Sequence, residues 1–288
     1  MKLYAECLPC LLKRVYYETK LINEKKSFEI LQECARIIGK DAGKDVVSAI
    51  IATKVHRVTY DMLGDSDPYR KIKDASNQVA LKLFPRAEAF VNKSKDPFKA
   101  AVIVSIVGNI FDYGVTDFRD PKLLFKLFDK MCAEGLGRDD LPAIKKILHK
   151  SKNIVYFTDN CGEIVFDRLL LKELKKMGMR ITLVPKGVPI LSDATAEDVR
   201  KIGLQKYADE IVPTEHFAVG VDVKRMSGKF RKMLDEADLI LCKGMANYEA
   251  LSETKYRPVA YLMRSKCEPV ALALGVKKDV NVAILFNR

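Results

Sequence analysis

The spacing of apolar residues divides the chain into two parts. In the first 150 residues, apolar positions recur every three or four residues, which is the period of an amphipathic helix. Glycine clusters and prolines, including Pro85, predict the breaks between helices. No strand-like alternation is seen in this part. The predicted helices are 8–22, 27–38, 45–63, 68–83, 97–110, 121–132 and 140–149.

After residue 151, short β-branched runs alternate with helical segments. The predicted strands are 153–157, 180–185, 210–212, 239–241, 259–263 and 280–285. The predicted helices between them are 163–177, 196–202, 223–236, 247–252 and 269–274. Such alternation indicates βαβ units and a mainly parallel sheet. We therefore expect an all-α N-terminal domain, residues 1–150, followed by a three-layer, Rossmann-like α/β domain, residues 151–288.

Composition narrows the class of protein. A 48% hydrophobic content over 288 residues is typical of a globular protein. No apolar run approaches the roughly 18 residues of a membrane span, and the N-terminus does not resemble a signal peptide, so we expect a cytoplasmic protein. The net charge of +12 is scattered, which is typical of a thermophile surface and gives little support for nucleic-acid binding.

The segment from Thr158 to Asp167 carries the strongest chemical signal. It follows a predicted strand with Asp159 and Asn160, and then a glycine turn leads into a predicted helix. Ligands of open α/β sheets bind beyond the carboxyl ends of the strands. Carboxylate and carboxamide oxygens suit a hard cation, and a helix N-terminus suits a phosphate. Alternatively, these residues form a polar turn that caps the helix.

Three further strand ends carry chemically useful groups. Asp193 follows the second strand, Lys243 and Gly244 follow the fourth, and Lys266 follows the fifth. The lysine–glycine pair supplies a positive charge and allows close backbone approach. In a parallel sheet these ends lie along one edge, so we expect the groups to share a crevice. Each also has a bland interpretation, as a helix cap or a solvated lysine.

The residues at these four strand ends together predict metal-assisted phosphoryl hydrolysis. Asp159, Asn160 and Asp193 are the expected ligands of Mg²⁺ or Mn²⁺. Lys243, Lys266 and backbone N–H groups near 161–163 would stabilise the phosphoryl oxygens. Glu163 and Asp167, four residues apart on one helix face, would orient a metal-bound water or act as base. A capping or solvated role is the alternative for both.

Three other functions remain open from the residues alone. A nucleotide-binding or methyltransferase-like protein would use the same platform, although neither a Gly-x-Gly-x-x-Gly nor a Walker loop follows the first strand. A haloacid-type phosphatase would need a second aspartate two positions after Asp159, where Cys161 stands. A basic nucleic-acid scaffold rests on net charge alone.

Several motifs in order resemble the damage-control phosphatase family. They are Asp159-Asn160-Cys161-Gly162-Glu163 with Phe166-Asp167, then Pro189 to Thr195, Lys243-Gly244 with Asn247, and Lys266 to Ala271. Gly108-Asn109 with Asp112-Tyr113-Gly114 resembles the family's Gly-Asn…Asp-Phe-Gly segment. Cys7 and Cys10 resemble the Cys-x-x-Cys of its stand-alone archaeal branch. The resemblance runs nearly from end to end.

The resemblance implies a metal-dependent phosphatase of small phosphorylated metabolites, with a divalent ion (Mn²⁺, Mg²⁺, Co²⁺ or Ni²⁺) at Asp159, Asn160 and Asp193. It implies that Asn109 and Asp112 close over the site and belong, with Gly244 and Asn247, to the groups that bind the substrate or its phosphate. The residues alone favour a helix C-cap for Asn109 and a loop glycine at Gly114. Ser192 departs from the asparagine expected before the aspartate, and Lys186 from a common arginine.

Cys7 and Cys10 are left without an assigned role. Two thiolates do not complete a tetrahedral zinc site, which needs about four ligands. Buried structural thiols, a redox pair and an accessory metal site are the alternatives. The three histidines, His56, His149 and His216, are isolated in the sequence and are interpreted as incidental.

Overall fold

The computed structural model describes residues 1–111 and 121–287, except for the side chains of 110–111 and 121–124. Twelve α-helices lie in this part of the chain. They are α1 (Cys7–Ile22), α2 (Ser27–Asp41), α3 (Ser48–Leu63), α4 (Arg70–Lys93), α5 (Pro97–Val107), α6 (Pro121–Glu134), α7 (Leu141–Leu148), α8 (Glu163–Lys176), α9 (Ala196–Lys201), α10 (Gly228–Asp235), α11 (Gly244–Leu251) and α12 (Glu268–Leu274).

Seven strands of the described chain form one sheet. They are β1 (Arg138–Asp139), β2 (Asn153–Phe157), β3 (Arg180–Val184), β4 (Glu210–Ile211), β5 (Leu239–Lys243), β6 (Val259–Arg264) and β7 (Asn281–Phe286). Their order is β1-β7-β6-β5-β2-β3-β4. The β6–β7 pair is antiparallel and the others are parallel. The predicted α/β class with a mainly parallel sheet is therefore confirmed.

Side chains from the two faces of the sheet enter two hydrophobic clusters. In β2, Ile154 and Tyr156 pack with α4 to α8, whereas Val155 and Phe157 pack with α10, α11 and α12. Because both faces are covered, β2 reads as a continuous apolar run in the sequence. The result is the three-layer arrangement that the sequence predicts.

The hydrophobic cluster beside α8 crosses residue 150. It joins α4, α5 and α7 to α8 and β2, while a smaller cluster joins α1, α2 and α3. The predicted division into domains 1–150 and 151–288 stays a prediction. Packing shows that helices on both sides of that boundary share one core.

Two sequence-based predictions are wrong. Helix α4 continues through Pro85 to Lys93, although an internal proline removes a backbone donor and costs about 3 kcal/mol. Ala87 and Val91, beyond the proline, are buried in the core, and this burial favours continuation of the helix.

The second wrong prediction is the absence of strands before residue 150, because β1 lies in this part and pairs with β7. In the described chain, none of the helices combines the length and apolar character required to cross a bilayer.

The sheet reverses its direction of winding between two central strands. From β2 the chain proceeds to β3 on one side, and from β5 it proceeds to β6 on the other, while β2 and β5 are neighbours. This is a topological switch point, where the following loops diverge and leave a crevice. The loops that carry Asp159 and Gly244 flank it.

Candidate active site

The loop after β2 is anchored to the loop after β3. Asn160 and Asp193 form an antiparallel bridge, and the backbone N–H of Cys161 donates to the carbonyl of Ser192 at 2.9 Å. The N–H of Ala194 donates to the carbonyl of Asp159 at 2.7 Å. The structure thus brings together the three predicted metal ligands, although Asp159 and Asp193 are 34 residues apart in the sequence. Their side chains line one cavity.

The loops after β2 (158–162) and β3 (185–195) together form what we call the loop cluster. The carboxylate of Asp159 lies at its centre. Its Oδ2 accepts hydrogen bonds from Asn160 Nδ2 and Asn109 Nδ2, both at 2.8 Å. Ser192 Oγ donates to Asn160 Oδ1 at 2.8 Å and holds that carboxamide in place. Serine at position 192 therefore supports a predicted ligand directly.

Gly244 permits the backbone after β5 to approach Asp159. Its φ is +74°, a region that disfavours side chains, and a Cβ atom built there would lie 1.9 Å from Asp159 Oδ2. Any larger residue would collide with the carboxylate. The close backbone approach predicted for this glycine is thus present, with Asp159 as the group approached.

Lys243 lies in a closed ionic network beneath the loop cluster. Its Nζ donates to Glu163 Oε1 at 2.6 Å, Asp167 Oδ1 at 2.8 Å and the carbonyl of Ser105 at 3.0 Å. All three side chains of the ionic triad are inaccessible to solvent. Because an ammonium group has three protons, none remains for a phosphate oxygen. The phosphate-binding role of Lys243 stays a prediction, and its contacts favour a positioning role.

Burial and neighbouring charges shift the pKa values of the groups in this network in opposite directions. Burial raises the pKa of Asp167 to about 6, and the positive charge of Lys243 only partly offsets it. Burial alone would lower the pKa of Lys243, but the carboxylates of Asp167 and Glu163 reverse this and raise it. The lysine is therefore charged at neutral pH, and it neutralises part of a buried negative pair.

Glu163 connects this network to the loop cluster. Its Oε1 accepts from Lys243, and its Oε2 accepts from Asn109 Nδ2 and, at 3.5 Å, from the N–H of Asn160. With both oxygens occupied, Glu163 positions Asn109 and the loop after β2. The catalytic roles predicted for Glu163 and Asp167 stay predictions.

Asn247 also acts on the loop geometry. Its Nδ2 donates to the carbonyls of Thr158 and Lys243 at 3.0 and 2.8 Å and so joins the ends of β2 and β5. The phosphate contact predicted for Asn247 stays a prediction. Asp112, the other residue expected to close over the site, lies outside the described residues.

Lys186 is a site residue that the sequence motifs mark only as a departure from the family. Its Nζ lies 3.2 Å from Asp193 Oδ2 and donates to the carbonyls of Ala218 and Gly220. It follows β3 at the same sheet edge as Asp193, and this position was the signal that could have identified it. Lys186 holds Asp193 against the loop cluster.

A cavity of about 400 Å³ lies above these loops and is roofed by α1 and α3. Asp159, Asn160, Asp193 and Gly244 line its floor. The half-buried Lys266, whose Nζ donates to the carbonyl of Asn109 at 2.7 Å, also lines it. The predicted cation of the fifth strand end thus lies at the cavity wall, and its phosphate-binding role stays a prediction.

Cys7 and Cys10 lie in the first turn of α1 and line the same cavity, together with Cys267. Burial raises the pKa of Cys7, and it raises the pKa of Cys267 to about 11. These two groups are therefore protonated thiols at neutral pH, which is unlike an activated redox cysteine. Among the described residues, no group of three or more His, Cys, Asp or Glu side chains is arranged to hold a metal.

Comparison with known proteins identifies the family. A model of the damage-control phosphatase ARMT1-like domain matches residues 3–282. The chain belongs to this family. A damage-control phosphatase of Archaeoglobus fulgidus is 44% identical over 98% of this chain and 99% of its own length. Another, from Pyrococcus horikoshii, is 31% identical over 99% of this chain and 98% of its own.

A solved structure extends the similarity to the fold. The crystal structure of a DUF89 family protein from Pyrococcus horikoshii superposes with a TM-score of 0.88. The two chains are 30% identical, and the match covers 99% of each. The predicted membership of the damage-control phosphatase family is confirmed, and the assignment of Cys7 and Cys10 to its archaeal branch stays a prediction. Membership of a damage-control phosphatase family supports a phosphatase function for the chain.

Proposed function

We propose that the chain is a metal-dependent phosphatase that hydrolyses small phosphorylated metabolites, namely damaged or surplus nucleotides, sugar phosphates or cofactor intermediates. One observation carries the proposal. Asp159, Asn160 and Asp193 converge at the switch point of the sheet, on the floor of a cavity that Lys266 also lines. Oxygen ligands and a phosphate-binding cation then share one small volume, as metal-assisted phosphoryl transfer requires.

The donor set suits a hard divalent ion. It consists of two carboxylates and one carboxamide, and oxygen ligands of this type are preferred by Mg²⁺ and Mn²⁺ and accepted by Co²⁺ and Ni²⁺. Two carboxamide N–H groups donate to the same oxygen of Asp159 at 2.8 Å, so an ion bound by this oxygen would replace at least one of them. Asn160 can present its carbonyl oxygen instead by a flip of the carboxamide, since Ser192 Oγ can either donate or accept.

Asp159, Asn160 and Asp193 would hold the ion, which would polarise the phosphoryl group and lower the pKa of a bound water. Lys266 contributes positive charge at the cavity wall and favours the phosphoryl oxygens. Asn109 places its carboxamide between Asp159 and Glu163. Lys243, buried behind Glu163, keeps that carboxylate oriented toward Asn109.

The test uses purified protein stripped with a chelator and assayed on p-nitrophenyl phosphate with each divalent ion added back. We expect activity only after metal is restored, and a loss of at least a hundredfold in the Asp159→Asn and Asp193→Asn variants, by analogy with the loss of a major electrostatic group. Asp235→Asn, at an exposed aspartate of α10, is the matched control and should retain full activity.

Binding of the metal alone provides a second readout. Calorimetric titration with Mn²⁺ should show a site in the parent protein that is weakened in Asp159→Asn, while thermal unfolding without metal confirms that the variant is folded. Activity that persists without metal, or that survives Asp159→Asn, contradicts the proposed function. Heat from Mn²⁺ that is unchanged in the variant contradicts the proposed ligands.

A further inference from the structure

One face of α3 forms part of the cavity roof. Ser48, Ala52 and His56 recur every four residues, lie on the same side of the helix and line the cavity. Tyr60 continues this face, and its hydroxyl accepts a hydrogen bond from the N–H of Leu191 at 2.8 Å. Because Leu191 lies two residues before Asp193, the tyrosine fixes α3 relative to the loop with the proposed metal ligand.

The imidazole of His56 is held in one orientation by a buried carboxylate. Its Nδ1 lies 2.9 and 3.0 Å from the two oxygens of Glu18 on α1, and Tyr69 donates its hydroxyl to the same carboxylate at 3.3 Å. His56 is 2% exposed and Glu18 is fully buried. We assign the tautomer in which Nδ1 carries the hydrogen and donates to Glu18, so that Nε2 presents a lone pair.

Nε2 makes no hydrogen bond to residues 1–111 or 121–287. Some buried polar atoms of the described residues lack a hydrogen-bond partner, but Nε2 is not one of them, so it is accessible to solvent. Since His56 lines the cavity, we infer that Nε2 is reached from the cavity side. A fixed acceptor is thus presented to whatever occupies the cavity.

The floor and the roof of the cavity carry different chemical groups. The floor carries Asp159, Asp193 and Lys266, the groups assigned to metal and phosphate. The roof is mixed: it carries Leu11 and Ala52 beside the acceptor of His56, and α1 and α3 also contribute Arg14 and Ser48. A phosphate ester bound with its phosphoryl group on the floor would therefore direct its organic part toward α1 and α3. An acceptor there selects a group that donates a hydrogen bond.

We propose that His56, oriented by Glu18, is a specificity-determining residue that accepts a hydrogen bond from a hydroxyl group on the organic part of the substrate. This inference rests on the proposed phosphatase function and narrows its substrate class to polyhydroxylated phosphate esters. A role confined to joining α1 and α3 is the alternative, because the His56–Glu18 pair also connects those helices.

The test compares a hexose phosphate, which carries hydroxyl groups, with p-nitrophenyl phosphate, which carries none. His56→Asn keeps an N–H donor near the position of Nδ1 for Glu18 but lacks an acceptor at the position of Nε2. We expect its kcat/KM on the hexose phosphate to fall by about 2- to 12-fold relative to p-nitrophenyl phosphate, the usual worth of one hydrogen bond. The change should lie mainly in KM.

Two further variants separate specificity from folding. His56→Gln can place a carboxamide oxygen near the position of Nε2 and should restore part of the preference for the hexose phosphate. His149→Asn, at an exposed histidine, should leave the ratio unchanged. Thermal unfolding in the absence of substrate shows whether each variant is folded.

The outcomes distinguish the inference from the proposed function. An equal fall on both substrates in His56→Asn assigns the pair a structural role and overturns the inference, as does an unchanged ratio. Failure of the parent protein to hydrolyse either ester with any divalent ion removes the proposed function, and the specificity role fails with it. A selective fall on the hexose phosphate supports both.

Discussion

Replacing Lys243 with methionine removes a fully buried cation that contacts both Glu163 and Asp167. The two carboxylates would then lie together in the interior without that counter-charge. Removing one partner of a buried ion pair typically destabilises a protein by 3–5 kcal/mol, because the remaining charge loses its compensation. We therefore expect Lys243→Met to lower the free energy of unfolding by about 3–5 kcal/mol at pH 7.5.

The pH dependence of this loss has a defined sign. In the parent protein, burial already raises the pKa of Asp167 to about 6, above its unfolded value of about 3.8. Such a group contributes stability that is present below the unfolded pKa and is lost as pH rises through the folded pKa. Without Lys243 the folded pKa rises further. The loss of unfolding free energy in the variant, its stability deficit, should therefore be larger at pH 7.5 than at pH 5.5.

Urea unfolding at both pH values measures the deficit, and a second substitution identifies its cause. Adding Asp167→Asn to Lys243→Met removes one of the two uncompensated charges and should recover roughly half of the loss. Lys278→Met, at an exposed lysine, is the matched control and should change stability by less than about 0.5 kcal/mol. A deficit below about 1 kcal/mol, or one that is equal at the two pH values, refutes the reasoning.

Two further predictions concern the loop cluster and the thiols. Gly244→Ala should abolish phosphatase activity while the protein remains folded by circular dichroism, because its Cβ would displace the Asp159 carboxylate; normal activity would show that this close approach is dispensable. Since the pKa of Cys267 is raised to about 11, mass spectrometry should find slow alkylation at pH 7.5 and faster alkylation near pH 10, with the exposed Cys10 as reference. Rapid modification of Cys267 at pH 7.5 contradicts that environment.

Strand ends were the most predictable part of the site. Short β-branched runs placed Asp159, Asp193 and Lys266 after separate strands, and parallel pairing brings such ends to one edge. The sequence also identified the glycine needed beside Asp159. It did not reveal that Lys243 faces inward, since a lysine at a strand end is usually solvated and only the packing of α5 and α8 shows otherwise.

Other features depend on long-range packing that local patterns do not encode. A two-residue strand such as β1 has no measurable periodicity, and its place is set by β7, over 140 residues later. Pro85 is a break signal locally, but the buried face of α4 continues beyond it. His56 is isolated in the sequence because its partner, Glu18, lies 38 residues away on another helix.

The contacts that build the site join distant parts of the chain. Lys266 reaches the carbonyl of Asn109 across 157 residues, and Lys243 reaches that of Ser105 across 138. Contacts of such separation form only after the intervening chain has lost much of its freedom, which slows folding. Phosphatase activity should therefore return late during refolding from urea, after helical circular dichroism has recovered. The catalytic assay would then report the final assembly step rather than the formation of secondary structure.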